Sequence, residues 1–446
     1  MLPGANLNHH PYRPRSMRSS RPLAALAVAA ALSLVLPILS GLAAAGPEPP
    51  TLLATAYNTE RKLARAANGT LYAAITVNAS GTPAARVVAT SDGIAWSALL
   101  PPTTSGALSY HTTLGIDSRG RLHLAWTEAV AGNRQVFYAR LEDGRWSLLE
   151  QLSHSIGYAG FPSIAVDGLD RPHVVWYGFD GTTYQVYYRR LDSTGWSPER
   201  ALTSEAVDAT NPAIALGPEG FVHIAWFRQT RNFTYNEIAY LRVEGDDVAE
   251  TRTISRAGVS STDPSLVVTK NGTVHVVWSA YVAGVQRLQH ATRTSGWSGV
   301  ETISPTNPAA RHPSTALDAT DRLYVFWEGQ DGQIYEQRRS AGWSAPAPLS
   351  TGGTNLYPSA RWSQDHNPLC GADARIDVIW TREDAGTTVL SYRSLPAPFP
   401  CPGEPLQDLT LAYVGVGLLV AAATGFVAVL VWLRWRWYPK PPSGPA

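Results

Sequence analysis

Six tryptophans stand at nearly equal intervals along the chain, and nothing else in the sequence restricts its fold as tightly. Trp126, Trp176, Trp226, Trp278, Trp327 and Trp380 are separated by 50, 50, 52, 49 and 53 residues. "LYAAIT" at 71–76 aligns with the same segment and puts Ile75 in the tryptophan column, 51 residues before Trp126. That makes seven copies. A period of about 50 residues is the length of one four-stranded propeller blade.

Each copy carries four pieces. A strand of small residues comes first, as in "FPSIAVD", "NPAIALG", "DPSLVVT", "HPSTALD" and "YPSARWS"; small side chains suit the strand A that crowds around a central axis. Turns such as "DGLDR" and "TKNGT", rich in hairpin-forming residues, lead to strand B, which ends in the tryptophan. Strand C ("QVFYARL", "QVYYRRL", "IYEQRRS") and a "GWS" turn with the outer strand D complete the unit. The seventh copy has no "GWS" segment, and an unpaired sheet edge is a liability. "TLLATAY" at 51–57 is therefore expected to serve as strand D of the last blade. The expected fold is all-β: a seven-bladed β-propeller of four-stranded blades at 46–400, closed by the N-terminal strand, plus one C-terminal transmembrane helix.

A second column holds His123, His173, His223 and His275, with Tyr72, Tyr324 and Asp377 in the other copies. Side chains alternate across a strand, so His173 and Trp176 point to opposite faces. Zinc needs imidazole nitrogens about 2.0–2.1 Å from one centre, whereas facing sheets lie about 10 Å apart. The column is expected to be structural. No Cys/His metal spacing, phosphate-binding glycine loop or Ser-His-Asp arrangement is recognisable, so no metal or cofactor is expected.

Two apolar stretches flank the repeats. Arg13, Arg15, Arg18 and Arg21 precede a charge-free run from Pro22 to Ala45 ending in "AAAG", which reads as a signal peptide at 1–45, with an uncleaved N-terminal anchor as the alternative. Residues 409–433 are 25 residues without a charge, enough to cross a hydrocarbon core of about 30 Å. Arg434, Arg436 and Lys440 follow that span, so the positive-inside rule puts the 434–446 tail in the cytoplasm. The propeller is then expected outside the plasma membrane on a juxtamembrane stalk at 401–408. Cys370 and Cys401, the only cysteines, are expected to pair there, where disulfides persist. Asn68, Asn78, Asn232 and Asn271 begin Asn-x-Ser/Thr sequons, and Asn68-Gly69 and Asn271-Gly272 also read as hairpin turns. A formal charge of +1 gives no global pull toward nucleic acid.

The "GWS" turns resemble degenerate Asp boxes of the sialidase and BNR-repeat propeller superfamily. "TSDGIAW" is the nearest copy, with Thr90, Asp92, Gly93 and Trp96 in the places of a Thr-x-Asp-Gly-x-x-Trp variant. The resemblance spans about residues 51–398 and implies the propeller fold. A sialidase would add an arginine triad, a tyrosine–glutamate pair and an acidic aspartate. The Arg-Ile-Pro signature of its first arginine does not occur here, and such enzymes generally have six blades. The chain is thus read as a non-catalytic or divergent member, and no residue takes a catalytic role from the motif.

Function is expected where the copies differ, on the face of the B–C and D–A loops. Glu128, Arg228, Glu328, Arg382 and Glu383, with Tyr158, Tyr177, Phe179 and Tyr357, are the candidates there. Arginine forks recognise carboxylates and aromatic faces stack on sugars or side chains. The expected ligand is a glycan, peptide or protein. The alternatives are an exo-acting glycoside hydrolase of sialidase type and a structural module of a cell-surface assembly.

Overall fold

A computed structural model describes residues 49–398 except 58, 105, 233, 363–370 and 372. The expected leader, stalk, membrane helix, cytoplasmic tail and Cys370–Cys401 pair lie outside the described residues. Among the described residues no helix is long and apolar enough to cross a membrane.

Period-two burial broken by tight turns gives seven antiparallel sheets in chain order. Blade 3 is representative: strand A, Ala159–Val166, pairs with B, Pro172–Phe179, which pairs with C, Tyr184–Asp192; two short pieces, Gly195–Trp196 and Arg200–Ala201, form its outer edge. The repeated tryptophans are the largest side chains of the core, five of them fully buried and Trp380 nearly so. They lie between blades. Trp226 joins a cluster with Ala165, Val175 and Val186 of blade 3, and Trp126 joins one with Ala74, Ala85 and Val87 of blade 1.

Small residues in strand A serve a second purpose. Their hydroxyls reach the backbone of the next blade: Ser265 Oγ accepts from Thr315 N at 3.0 Å, Ser314 Oγ from Ala360 N at 3.0 Å, and Ser359 Oγ from Lys62 N at 3.3 Å. A larger residue would hold the strands apart.

The histidine column is wired within each blade. Nδ1 of His123, His173 and His223 lies 2.7–2.8 Å from the hydroxyls of Tyr138, Tyr188 and Tyr240 on strand C. The Nε2 atoms of His123 and His173 face Asp117 and Asp167 of the A–B turns, at 3.3 and 3.2 Å. His275 meets His290 instead, at 3.1 Å. Burial holds these imidazoles below their usual range, His223 at about 4 and His275 at about 3, so at neutral pH they are uncharged donor–acceptor links.

The expected closure does not occur. Among the described residues the seventh sheet has three strands, Thr354–Trp362, Arg375–Asp384 and Thr387–Pro396. The N-terminal segment pairs with blade 1 instead. Pro50 bridges Val77, and backbone bonds join Thr51 N to Thr76 O and Thr76 N to Ala54 O. This lays residues 50–54 along the upper half of strand B, Leu71–Ala79, whose lower half pairs with Leu63–Arg65. Strand A of blade 1 is thus split in two. The physical reason is that Leu63–Arg65 leaves the top of strand B unpaired, and the same apolar segment can satisfy that edge.

Side chains close the ring between blades 7 and 1. Thr55 Oγ1 and Thr381 Oγ1 lie 2.7 Å apart, and each hydroxyl accepts the other residue's backbone N–H at 3.0 Å. Arg65 donates Nε and an Nη to the two oxygens of Asp377, both at 2.7 Å. Ile379 of blade 7 packs among Ala54, Leu63 and Leu71.

Between the two halves of the split strand, the chain crosses the central channel. Tyr57 touches rings of blades 2, 3 and 7; Thr59 O accepts from Ser163 Oγ of blade 3. An Arg61 Nη reaches Leu266 O of blade 5 at 2.6 Å, and Lys62 Nζ reaches Thr112 O of blade 2 at 2.6 Å. The equivalent step from Phe161 to Ile164 takes three residues, and from Tyr57 to Leu63 six. Those extra residues are the plug. Glu60 and Lys62, both fully buried, pair at 2.6 Å within it; burial pushes the Glu60 carboxyl up to about 7 and the Lys62 ammonium down, against their mutual attraction.

Candidate functional site at the channel mouth

Strand A begins where strand B ends: Ala159 faces Gly178 and Gly160 faces Tyr177. The first residues of every strand A therefore ring the channel on the face of the B–C and D–A loops. In blades 2 to 7 the A–B register slips at this level by a bulge. Each bulge holds one non-glycine residue at positive φ: His111 (53°), Phe161 (54°), Asn211 (50°), Asp263 (54°), His312 (50°) and Tyr357 (51°). Left-handed backbone costs an L-residue about 1–2 kcal/mol. Retaining it at six positions, four of them with large rings, is a pattern that accompanies functional sites.

The bulges aim their side chains at one another around Tyr57. Ring centroids separate Tyr57 from Phe161 by 5.0 Å, from Tyr357 by 5.6 Å and from His111 by 5.7 Å. His111 and Phe161 lie 3.7 Å apart, and His312 stacks on Tyr357 at 4.5 Å. The surface continues outward: Phe161 stacks on Tyr177 at 5.2 Å, Tyr177 on Tyr158 at 5.5 Å, and the Arg134 guanidinium lies 5.5 Å above the Tyr158 ring. All these rings are half-buried. They make an aromatic floor across the plugged channel.

The tyrosines and His111 of the floor are uncharged. Burial pushes the Tyr57, Tyr158, Tyr177 and Tyr357 hydroxyls up. Burial also holds His111 well below its usual range, aided by the charges of Lys62 and Arg134. Charge collects on one side, in blades 5 and 6. Glu328 accepts from Arg311 Nε at 2.7 Å and faces His312 Nδ1 at 3.0 Å, while Asp263 lies 4.0 Å from His312 Nε2. Burial alone would raise the Glu328 pKa, but His312 and Arg311 hold it below the usual carboxylate range.

The residues named from sequence divide into two groups. Tyr158, Tyr177 and Tyr357 belong to the floor; Phe179 stands beside it, 5.5 Å from Tyr184; Glu328 is its charged edge. The others are engaged elsewhere. Glu128 is fully buried and accepts from the Trp126 indole at 2.8 Å and Thr104 N at 2.9 Å. Arg228 pairs with Glu205 at 2.7 Å and Arg382 with Asp384 at 2.6 Å, while Glu383 sits opposite Thr354 in the blade 7 ladder. Sequence reading missed Tyr57, His111, Phe161, Asn211, Asp263 and His312. Five of the six bulge residues stand immediately before proline in strand A, where the repeat varies among Phe, Asn, Asp, His and Tyr. That variation was the available signal.

Thr90, Asp92 and Gly93 form a closed turn. Thr90 Oγ1 accepts from Gly93 N at 2.9 Å, and Asp92 Oδ1 from Ile94 N at 2.8 Å and Ala95 N at 3.0 Å. Trp96 packs edge-on to Tyr392 of blade 7 at 6.3 Å. Among the described residues, no group of three or more His, Cys, Asp or Glu is arranged to hold a metal ion.

No protein-family model matches the sequence, and no curated protein is significantly similar to it. Solved structures share the fold. An ulvan lyase, described as a new family of polysaccharide lyase and bound to -[GlcA(1-4)Rha3S]-, is 11% identical, with a TM-score of 0.55 over 82% of this chain and 98% of its own. An α-L-arabinofuranosidase from Fusarium graminearum is 13% identical, with a TM-score of 0.47 over 63% of this chain and 91% of its own. A leech intramolecular trans-sialidase is 10% identical, with a TM-score of 0.40 over 80% of this chain and 70% of its own. The likeness to the ulvan lyase is one of fold.

Proposed function

We propose that this propeller binds a saccharide on the aromatic floor of its channel mouth, presented outside the cell on the 409–433 helix. The supporting observation is the run of half-exposed, neutral rings from Tyr357 through Tyr57 and Phe161 to Tyr158. A sugar offers apolar C–H faces to such rings and hydroxyls to the Asn211, Asp263 and Glu328 side. The propeller neighbours named above are glycan-processing proteins, which is compatible with this reading.

Glycoside hydrolysis is the second reading. A general acid needs a raised pKa, and Arg311 and His312 keep the Glu328 carboxyl low, so Glu328 suits the base or nucleophile of such a reaction and not its acid.

The test is a glycan array probed with the detergent-solubilised full-length chain, beside a fluorogenic glycosidase panel. The expected result is saccharide binding that Tyr177→Ala weakens at least about tenfold, as the loss of about 1.4 kcal/mol of ring contact requires. Turnover of a fluorogenic glycoside would favour the hydrolase. Silence in both assays would overturn the saccharide reading in favour of a protein ligand or an assembly role.

A further inference from the structure

Between blades 2 and 3 the aromatic floor ends on a cation held by rings alone. Arg134 is the second residue of the blade 2 strand C, Asn133–Glu142, and is exposed. Its guanidinium lies 5.2 Å from the centre of the Tyr110 ring and 5.5 Å from that of Tyr158. Among the described residues it forms no ion pair, and its N–H donors meet no acceptor. Other arginines of this face are already engaged: Arg228 by Glu205, Arg311 by Glu328 and Arg382 by Asp384, at 2.6–2.7 Å.

The rings beneath Arg134 are themselves fixed. Tyr158 stacks on Tyr177 at 5.5 Å and meets Tyr184 edge-on at 6.2 Å. Its hydroxyl stands over Gly160, where a Cβ would come within 2.6 Å of it, so glycine lets the ring lie against the start of strand A. Tyr110 meets His111 edge-on at 4.5 Å. The Tyr110 hydroxyl and His111 Nδ1 are buried and have no hydrogen-bond partner among the described residues. Unmet buried polar atoms need an explanation, and one of these belongs to a ring that Arg134 covers. The field at this end also has one sign. Burial is the main reason the His111 imidazole stays uncharged, and the two charges that act on it, Lys62 and Arg134, are both positive. The carboxylates of Asp263 and Glu328 belong to blades 5 and 6.

We propose that Arg134 is the specificity-determining residue of the mouth and selects saccharides that carry a carboxylate or a sulfate, which its guanidinium holds while a sugar ring lies on Tyr158 and Tyr177. This role rests on the saccharide reading and narrows its ligand class. A guanidinium fork matches the paired oxygens of either group. Binding there breaks no internal hydrogen bond, and the two rings have already fixed the side chain, so little ordering remains to be done.

The test uses the detergent-solubilised full-length chain and a glycan array on which each backbone is printed in neutral, uronate and sulfated form, with titration calorimetry on the members that bind. Acidic members are expected to bind at least about tenfold more tightly than their neutral partners, the share of one charge-assisted contact. Arg134→Ala should remove that preference and leave the neutral members bound as in the parent. It gives up no hydrogen bond, so its melting temperature should stay close to the parent's. Added salt should weaken the acidic members in the parent and not in Arg134→Ala. The order of uronate and sulfate then identifies the anionic group. Equal binding of acidic and neutral members by the parent would overturn this role and leave the saccharide reading standing. Equal weakening of both in Arg134→Ala would also overturn it, by making Arg134 a support for Tyr158 alone. Silence from every member would overturn both readings.

Discussion

Asp377→Ala is expected to lower the unfolding free energy by about 3–5 kcal/mol, because it leaves Arg65 buried without its bidentate partner. The pair is nearly inaccessible, with side chains 6% and 1% exposed, so solvent screens it little. Tyr392 also donates to Asp377 Oδ1 at 2.8 Å and loses its acceptor. Urea unfolding, read as a fall in midpoint at constant slope, measures the effect. The double replacement Arg65→Met/Asp377→Leu separates buried charge from lost packing. If desolvation dominates, it should recover most of the loss, since apolar residues can replace a buried ion pair at little cost. A loss below about 1 kcal/mol in Asp377→Ala would mean that the ion pair does not close the ring.

Trp176→Ala should cost a similar amount, about 3–5 kcal/mol, through the cavity it opens. The indole is fully buried among Ala125, Tyr138, Leu152 and Ile164 and lies 6.2 Å from the Tyr187 ring in a stacked arrangement. It belongs to the layer between blades 2 and 3, so the loss loosens two blades at once. Its Nε1 has no hydrogen-bond partner among the described residues, whereas the Trp126 indole donates to Glu128. Trp176→Phe keeps most of the volume and removes an unsatisfied donor, so it should cost well under half as much as alanine. Melting curves of the two variants make the comparison; an unchanged melting temperature in Trp176→Ala would remove the tryptophan from the core.

The blade count was legible because burial repeats. Every tryptophan in the column is buried, so its spacing reports the sheet period directly. The structural role of His173 was legible for a related reason: alternation along a strand separates it from Trp176, and blade spacing separates it from its column mates. Ring closure was not legible. Residues 51–57 form one apolar segment facing two unsatisfied edges, strand C of blade 7 and the upper half of strand B in blade 1, and propensity does not distinguish them. The plug has no second copy, so comparing repeats could not reveal that Thr55–Lys62 enters the channel. The mouth was half legible. Tyr158, Tyr177 and Tyr357 were found because they follow or precede repeat landmarks, while His111 and Phe161 depend on left-handed backbone at residues that seldom adopt it. Glu128 shows the converse error: a charged residue at a strand end reads as surface, yet the Trp126 indole and a loop amide draw it inside.

The passage of the N-terminal segment between blades 7 and 1 underlies the whole account, since it puts Tyr57 in the floor of the mouth and Arg61 in the channel beneath. A disulfide cross-link measures it directly. In T55C/T381C, oxidation followed by non-reducing peptide mapping should reveal a bond between positions 55 and 381, whose Thr hydroxyls already lie 2.7 Å apart. T55C/S391C, which would link only if the segment ran along strand C of blade 7, should stay unlinked. A bond in T55C/S391C with none in T55C/T381C would contradict the plugged channel and restore the segment to the outer edge of the last blade.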